Sequence, residues 1–397
     1  MKISLRDIAL TIGSTAVAVL AAEGIAQLFV DPSPRFITGF RLSASGYYMA
    51  DEETGWVPRP NVDGVHDQEG SFETTFTTNS MGLRDEEGAG LTRERPVRVV
   101  ALGDSFTWGF GVNDDEIYTS VIEELEPRIE VVNLGVTAYG LRQEINYFRK
   151  LGTSMDPDIV LLALVMNDIT DPLRIRPGES VAQWMDRIGM RPAEQPDPAP
   201  EEVRPPSEES WSIGKIKPWL ADHSVLYRAA TDVINTNKTV VDLLVWLGIK
   251  GELAGFEELD SNLRPFLVDY PESVVESVEQ TKSEILELRD IVNAAGARLL
   301  VVVVPALQAV DRRARMNSIA YTKYYDEDFD VDKPFRLMAE FGEEEEIAVL
   351  NTVSSIREAA ESDSYPYLRS DMHFNPVGHR VFAGEIVEFL RANSWID

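Results

Sequence analysis

Apolar and polar positions follow two patterns along the chain after Pro96, and each pattern predicts one kind of element. Short runs rich in Val, Ile and Leu have the length of buried strands, and stretches with helical periodicity separate them. The runs are Val97 to Leu102, Ile129 to Val132, Ile159 to Val165, Arg298 to Val304 and Ile347 to Leu350. Short apolar strands that alternate with helices indicate an α/β fold, with a five-stranded parallel sheet covered by helices on both faces.

The N-terminal region contains a long apolar stretch from Ile8 to Val30, which only Glu23 and Gln27 interrupt. A helix of this length crosses a hydrocarbon layer of about 30 Å. Because Lys2 and Arg6 precede it, the positive-inside rule places the N-terminus in the cytoplasm and the rest of the chain outside. The pattern predicts a single-pass protein of the inner membrane whose main domain lies in the periplasm or at the exterior.

Two alternatives remain open for this N-terminal segment. One is a signal peptide cleaved near the small residues Ala21 and Ala22, and the other is a helix buried in a protein core. The carboxylate of Glu23 is costly in lipid. It is expected either near the membrane interface or in contact with another membrane helix.

Changes in composition divide the chain into three predicted parts. Residues 1–35 form the anchor and a Pro-containing linker, residues 36–95 a small β-rich collar, and residues 96–397 the α/β domain. A helical insertion rich in Pro and Glu interrupts the α/β domain at about residues 175–270. Its section from Arg191 to Ser210 has too few apolar residues to pack into a core, so it is predicted to be an exposed loop.

Local patterns add detail to the collar and the insertion. In the collar, Gly55 to Asn61 and Ser71 to Asn79 are typical of short strands and turns. Apolar spacing predicts a helix from Val225 to Leu247 in the insertion and another from Val274 to Ala295 after it.

Charge and composition exclude several classes of function. The formal net charge of −30 disfavours nucleic acid as a partner, because like charges repel. The absence of cysteine excludes disulfides, thiolate metal sites and cysteine nucleophiles. Asp326, Asp328 and Asp330 begin like a calcium loop, but Val331 stands where that loop needs Gly. No zinc or nucleotide motif occurs, so neither a metal ion nor a cofactor is expected.

Polar residues follow the predicted strands at their carboxyl ends, where parallel sheets collect functional groups. Asp104 and Ser105 follow the first strand, and Asn167 follows the third. Asp371 and His373 precede the last predicted helix, which Asn375 and Pro376 suit as N-cap and first residue. A hydroxyl, an imidazole and a carboxylate are the groups that nucleophilic catalysis needs, although a turn serine and an ordinary histidine would give the same pattern.

Several blocks of the chain resemble a known family. GDSF at Gly103 to Phe106, NLGVTAYG at Asn133 to Gly140, MND at Met166 to Asp168 and DMHFNPVGH at Asp371 to His379 resemble the four blocks of the SGNH (GDSL-type) hydrolase superfamily. TTNSMGLRD at Thr77 to Asp85 resembles the membrane-anchored bacterial branch of that superfamily.

The resemblance implies a flavodoxin-like three-layer sandwich and a serine-based catalytic apparatus. It implies that Ser105 is the nucleophile, His373 the general base, and Asp371 the group that holds the imidazole. It also implies an oxyanion hole made by the backbone N–H groups of Ser105 and Ala138 and the side-chain amide of Asn167. His379, inside the last helix, is expected to be structural, and neither His66 nor His223 has a partner that the sequence indicates.

Three positions depart from the pattern of the family. Ala138 and Val165 stand where Gly is usual, and Ser370 stands where most members have the catalytic Asp. The backbone donor at Ala138 survives if its φ angle remains allowed, whereas Val165 is expected to alter the geometry of its loop. Asp371 has the closer spacing to His373 that acetyltransferase-like relatives use.

Two functions follow from these observations. The first is a membrane-anchored extracytoplasmic serine esterase, or a related acetyltransferase, that acts through an acyl-enzyme on an acylated small molecule or a cell-envelope polysaccharide. The second is an accessory subunit of a membrane protein complex whose site is reduced or unused. The departures at Ala138, Val165 and Ser370 motivate the second, and fold alone does not separate the two.

Overall fold

The computed structural model describes most of the collar and the α/β domain. The described residues are 21–23, 47–68, 72–170, 175–176, 178–188, 224–249, 253–256, 259–362, 364–368 and 371–396. They fall into two compact units. The smaller comprises Met1–Arg35, Pro200–Gly255 and Met316–Tyr325, and the larger comprises Phe36–Ala199, Phe256–Arg315 and Asp326–Asp397. The predicted three-part division at residues 35 and 95 stays a prediction.

The collar consists of two short antiparallel hairpins. In the first, β1 (Tyr48–Asp51) pairs with β2 (Gly55–Pro58), and in the second, β3 (Asp63–Gln68) pairs with β4 (Phe72–Thr77). The second hairpin places Gly64 directly opposite Phe76. A Cβ at Gly64 would lie 2.1 Å from the Phe76 ring, so a glycine is required there.

The α/β domain is built on one parallel sheet of five strands, as the apolar runs predict. The strands are β5 (Val97–Leu102), β6 (Ile129–Asn133), β7 (Ile159–Leu164), β8 (Arg298–Val303) and β9 (Ala348–Asn351). Their order across the sheet is β6-β5-β7-β8-β9. This is the doubly wound order of flavodoxin-like folds, in which the first strand in the sequence lies inside the sheet.

The helices that the structure describes lie between these strands, or after the last of them, along the chain. They are α1 (Ser105–Trp108), α2 (Tyr118–Leu125), α3 (Leu141–Lys150), α4 (Met166–Thr170), α5 (Val181–Ile188), α6 (Val225–Thr236), α7 (Lys238–Trp246), α8 (Glu272–Ala294), α9 (Leu307–Val310), α10 (Arg312–Ile319), α11 (Lys333–Glu344), α12 (Val353–Glu361) and α13 (Pro376–Ala392). Short 3-10 turns occur at Asp114–Glu116, Gly152–Met155, Arg264–Phe266 and Asp326–Asp328.

Alternate strand residues face opposite layers of helices, which explains the continuous apolar runs. On one face, Val99 and Ala101 of β5 belong to the same buried cluster as Ile122 of α2 and Phe382 and Ile386 of α13. On the other face, α8 packs against β8 and α11 packs against β9. The sheet is therefore buried on both sides, and its polar groups collect at its carboxyl edge.

In the smaller unit, the helix predicted from Val225 to Leu247 is two helices. The chain breaks at Asn237, whose side chain accepts a hydrogen bond from the backbone N–H of Val240 at 3.2 Å and so starts α7. This Asn interrupts a stretch of helical periodicity because its side chain caps a helix well. At the start of α6, the carboxylate of Glu23 accepts hydrogen bonds from the Ser224 hydroxyl and the Val225 N–H, both at 2.6 Å.

Two sequence predictions fall mainly on residues that the structure does not describe. The predicted anchor from Ile8 to Val30 lies outside the described residues except for residues 21–23, and so does the whole Pro- and Glu-rich segment from Arg191 to Ser210. Within the described part of the chain, none of the helices has both the length and the apolar content needed to cross a membrane.

Candidate active site

The loop after β5 presents Ser105 at the first position of the short helix α1. Asp104 is the N-cap, and its carboxylate accepts a hydrogen bond from the Phe106 N–H at 2.9 Å. Gly103 before it has φ +156°, and a Cβ there would lie 2.1 Å from the Thr107 hydroxyl. The close turn therefore needs glycine, and it leaves the Ser105 side chain at the carboxyl edge of the sheet.

The loop before α13 brings His373 to Ser105. The Ser105 hydroxyl oxygen lies 2.6 Å from Nε2 of His373. The other ring nitrogen, Nδ1, is hydrogen-bonded to the Asp371 carboxylate, which also accepts the His373 backbone N–H at 2.9 Å. Serine, histidine and aspartate thus form one continuous hydrogen-bonded chain.

The side chain of Asn375 fixes the loop that carries this histidine. Its oxygen accepts hydrogen bonds from the N–H groups of Val377 and Gly378 and so caps α13. Its amide nitrogen donates to the carbonyl groups of Tyr365 at 2.6 Å and Tyr367 at 3.0 Å. Asn375 is therefore the N-cap that the sequence predicts, and it also links the start of the last helix to the segment before the histidine loop.

Burial and charge act in opposite directions on the pKa values of the pair. Burial alone lowers the pKa of His373, but the attraction and hydrogen bond of Asp371, together with the charge of Asp104, raise it above its usual 6.5. Burial tends to raise the pKa of Asp371, and the charge and hydrogen bond of His373 outweigh it, so that this pKa lies below its usual range. Asp371 therefore stabilises the imidazolium that forms when His373 accepts a proton.

Two further carboxyl groups, those of Asp104 and Glu144, are buried near the site. Burial raises the pKa of Asp104, although the nearby Asn167 amide and His373 ring counteract the effect. Glu144 of α3 is 1% exposed, and neither of its oxygens has a hydrogen-bond partner in the part of the chain that is described. Burial, followed by the charges of Asp168 and Asp104, raises its pKa well above the usual range. Its surroundings therefore favour the neutral form of this carboxyl group.

The loop from Asn133 to Gly140 runs beside the nucleophile. The N–H of Val136 donates to the carbonyl of Gly103 at 3.1 Å. Ala138, further along the same loop, has φ +64°, a left-handed conformation that costs a non-glycine residue about 1 kcal/mol. This explains why glycine is usual at this position, and alanine keeps the backbone N–H. Among the described residues, no backbone or side-chain acceptor binds the N–H of Ala138 or of Ser105.

Val165 stands where the family usually has Gly, and its effect on the geometry of the loop stays a prediction. The φ angle of Val165 is not positive, so the backbone at this position does not need glycine. Its N–H donates to the Asp168 carboxylate at 3.0 Å, and the N–H of Asp168 returns to the Val165 carbonyl at 3.2 Å. This reciprocal cap holds the start of α4, where the half-buried Asn167 lies beside Asp104.

The structure thus brings Ser105, His373 and Asp371 into contact and places Asn167 at the same edge of the sheet. Ser370, the alternative position for the acid, lies outside the described residues. His379 is buried in α13, where its Nδ1 accepts the backbone N–H of Tyr118 at 3.2 Å. Within the described residues, no group of three or more His, Cys, Asp or Glu side chains is arranged to hold a metal ion.

Several residues near the site were not predicted to act there. The collar contributes Arg84, whose guanidinium binds carbonyl groups of the loop after α1. It also contributes Asp85, which accepts the Asn133 N–H at 2.9 Å and whose pKa burial raises to about 7. The two ring nitrogens of His66 lie 3.3 Å from the indole nitrogen of Trp108 and 3.4 Å from the backbone nitrogen of Gly111, and the neutral ring accepts a hydrogen bond from one of them. The motif TTNSMGLRD was the signal in the sequence, but it indicates only a branch of the family.

Comparison with protein families gives one match. Residues 269–397 match the model of the "SGNH hydrolase-like domain, acetyltransferase AlgX". The matched range contains Asp371 and His373 and ends after α13, whereas Ser105 lies before it. No curated protein sequence matches the chain.

Several solved structures also match the chain, all at low sequence identity. A lipolytic protein of the G-D-S-L family from Veillonella parvula is 10% identical, with a TM-score of 0.38, over 75% of this chain and 99% of its own. A GDSL-like lipase from Bacteroides thetaiotaomicron is 11% identical, with a TM-score of 0.36, over 77% and 95%. The acetyl xylan esterase AlAXEase is 8% identical, with a TM-score of 0.37, over 74% and 100%.

Proposed function

Because the chain belongs to the SGNH hydrolase superfamily, we propose that it is a serine acyl hydrolase or acyltransferase that forms an acyl-enzyme at Ser105. The observation that carries the proposal is the hydrogen-bonded chain from the Ser105 hydroxyl through the His373 ring to the Asp371 carboxylate. A serine hydroxyl is a weak nucleophile until an adjacent base removes its proton.

The first half-reaction follows from this geometry. Oγ of Ser105 attacks the acyl carbon while its proton passes to Nε2 of His373, and Asp371 stabilises the imidazolium that results. The tetrahedral intermediate then collapses, the bond to the alcohol oxygen breaks, and the imidazolium returns the proton to that oxygen. The acyl group is left on Ser105.

The second half-reaction repeats these steps with a new nucleophile. Water gives hydrolysis, and a sugar hydroxyl gives acyl transfer. In both, neutral His373 takes the proton of the attacking O–H, and Ser105 recovers a proton when the acyl bond breaks. The name of the matched family includes an acetyltransferase, which supports acyl transfer rather than hydrolysis. We propose O-acetyl groups of cell-envelope polysaccharides as the substrates.

Three donors are proposed to bind the oxyanion of both intermediates. They are the N–H groups of Ser105 and Ala138 and the side-chain amide of Asn167. The unused N–H at the first position of α1 and the left-handed backbone of Ala138 support this role. In other serine hydrolases, loss of one such donor lowers kcat about 10²- to 10³-fold, and a similar loss is expected for Asn167→Ala.

A fluorophosphonate probe tests the proposal, because its phosphorus takes the place of the acyl carbon. The wild-type protein is expected to be labelled at Ser105 and to hydrolyse an aryl acetate. Ser105→Ala is expected to lose both, while Ser154→Ala, which changes an exposed serine whose hydroxyl donates to the Leu151 carbonyl, is expected to keep both. A wild-type protein that is neither labelled nor active on any short ester would contradict the proposal.

We also propose that the segment from Ile8 to Val30 anchors the protein in the inner membrane, with the catalytic domain on the periplasmic or outer side. The contact of Glu23 with the Ser224 hydroxyl and the N–H groups of Val225 and Leu226 supports it, because it supplies partners for the carboxylate of that segment. An unpaired carboxylate is costly in lipid.

Membrane fractionation tests this location. The protein is expected to remain in membranes after a high-salt wash and to be digested only from the outer side. Recovery of a soluble form that begins near Ala22 or Glu23 would instead establish a cleaved signal peptide.

The accessory-subunit function has one observation in its favour. Around the end of α7, four large apolar side chains are exposed, among them Trp246 at 79%. We propose that they would form the surface for a partner. They are Leu243, Trp246, Leu247 and Ile249. Mild detergent extraction tests this: a membrane protein that co-purifies equally with wild type and Ser105→Ala, from a chain without esterase activity, would favour the accessory role.

A further inference from the structure

The helix that carries Ser105 is short, and other segments bind its last carbonyl groups. A helix end leaves carbonyl oxygens without partners inside the helix. The Asn133 amide donates to the Thr107 carbonyl at 2.8 Å. The carbonyls of Trp108 and Gly109 both accept hydrogen bonds from Nη1 of Arg84, at 3.0 and 2.6 Å.

The guanidinium of Arg84 also holds the loop that follows. Its Nη2 donates to the Val112 carbonyl at 2.7 Å, and its Nε donates to the Asp114 carboxylate at 2.7 Å. The side chain of Arg84 is fully buried, and it lies over the rings of Phe76 and Trp108 at 5.5 and 5.8 Å. Three carbonyl oxygens converge on one cation here, and without it they would repel one another in a buried space.

The same loop also contacts the base. Phe110 lies between the carbonyls that Arg84 binds, and its ring centroid is 4.9 Å from that of His373. On its other side, the Phe110 ring is 4.8 Å from the His66 ring of the collar. A change in the loop would therefore shift both the helix of Ser105 and the ring that packs on the imidazole.

We propose that Arg84 is a positioning residue for the acyl-transfer reaction, and that the collar is a part of the active site. The inference rests on the proposed function. Arg84 acts through the loop from Trp108 to Val112: it holds α1 so that Ser105 stays within reach of His373, and it holds Phe110 against the imidazole. A lysine has one nitrogen with no planar fork, so it does not satisfy all of these acceptors.

Arg98 provides a matched control for Arg84. It is another buried arginine, and it lies at the opposite end of β5 from Ser105. It forms an ion pair with Glu130 at 2.5 Å and donates to the Met155 carbonyl. Its replacement therefore removes a comparable buried ion pair from the same domain without touching the loop after α1.

The experiment compares Arg84→Ala, Arg84→Lys and Arg98→Ala at a temperature at which circular dichroism shows each to be folded. For an aryl acetate, Arg84→Ala is expected to lower kcat about 10²-fold, because small displacements of reacting groups have effects of this size, and to leave KM within about threefold. The kcat of Arg84→Lys is expected to lie between that of the wild type and that of Arg84→Ala. Arg98→Ala is expected to lower the melting temperature and to leave kcat within about threefold.

Chemical rescue separates positioning from stability. Guanidinium added at millimolar concentration is expected to bind in the space that the Arg84 side chain leaves. It should raise the kcat of Arg84→Ala about tenfold or more, and it should not change the kcat of Arg98→Ala. The labelling rate with a fluorophosphonate is expected to follow kcat. If Arg84→Ala does not fold, Arg84→Lys carries the comparison.

The outcomes distinguish the two proposals. An active wild type with an Arg84 variant that is folded and equally active overturns the positioning role alone. An equal loss of kcat in Arg84→Ala and Arg98→Ala, without rescue by guanidinium, also overturns it. A wild type that is neither labelled nor active overturns the proposed function and this inference with it.

Discussion

His373 and His379 lie on either side of the start of the last helix, and the two sites have opposite electrostatics. Both side chains are buried, at 7% and 1% exposure, and each ring is next to an aromatic ring. The pKa of His373 is raised above 6.5, whereas that of His379 is lowered to about 3. Two histidines of one short segment are therefore protonated in different pH ranges.

The difference comes from the neighbours. Burial lowers the pKa of both rings, since it disfavours the charged form. At His373, the carboxylates of Asp371 and Asp104 reverse the effect. At His379, the nearby charges are those of Arg84 and His373, which lower the pKa further. Acidic neighbours, more than burial, therefore distinguish the proposed catalytic base from the second buried histidine, His379.

The same substitution at the two positions gives the largest expected contrast. His373→Gln is expected to lower kcat/KM for an aryl acetate about 10⁵- to 10⁶-fold, because the nucleophile loses its base. His379→Gln is expected to leave kcat/KM within about threefold. Steady-state kinetics on both folded variants checks this, and a His373→Gln protein with a tenth of the wild-type activity would remove the base from the mechanism.

Asp371→Asn tests the main cause of the raised pKa. An amide leaves the imidazole in the wrong tautomer, so a loss of about 10⁴-fold in kcat/KM is expected. In the wild type, His373 must be neutral to accept a proton, and its raised pKa places the acid limb of the pH–rate profile above 6.5. Without the carboxylate the pKa falls, so the acid limb of the residual activity is expected to move to lower pH. An unmoved limb would show that Asp371 does not set this pKa.

Asp104→Asn probes the second carboxylate with a smaller expected effect. Asn caps a helix about as well as Asp, so α1 and Ser105 are expected to stay in place. The acid limb is expected to move to lower pH, by less than in Asp371→Asn, because Asp104 is the lesser cause of the raised pKa. Above the limb, kcat is expected to fall no more than about tenfold, the equivalent of about one pKa unit. A larger loss would mean that Asp104 does more than raise the pKa of His373.

The strands and the ends of the active-site loops were predictable because local pattern determines them. The five apolar runs correspond to β5 to β9 within one residue at each end, and Asn375 caps α13 as its sequence indicates. Helix breaks were harder: Asn237 divides a stretch with continuous apolar spacing, and periodicity does not detect a cap inside it.

The contribution of the collar to the site was not predictable. Arg84 is separated from Trp108 and Val112 by more than twenty residues, and only the folded chain brings their carbonyls to one guanidinium. The altered loop geometry expected from Val165 stays a prediction, although the backbone there needs no glycine. The roles of Ser105, His373 and Asp371 remain predictions that the variants above test.

His379→Gln is expected to have the smallest effect, and it concerns stability alone. Loss of a well-fitted acceptor for the Tyr118 N–H is expected to lower the free energy of unfolding by about 1–3 kcal/mol near pH 8. Between about pH 6.5 and pH 3, unfolded wild-type protein binds a proton at this histidine that the native state does not bind, so wild-type stability falls as the pH falls. The His379→Gln variant lacks this pH-dependent contribution to stability. His66, whose pKa is also lowered to about 3, contributes equally to both proteins. Urea unfolding at about pH 8 and about pH 5 is therefore expected to show a smaller difference between the two proteins at the lower pH, and a difference that grows on acidification would mean that His379 is charged in the native state.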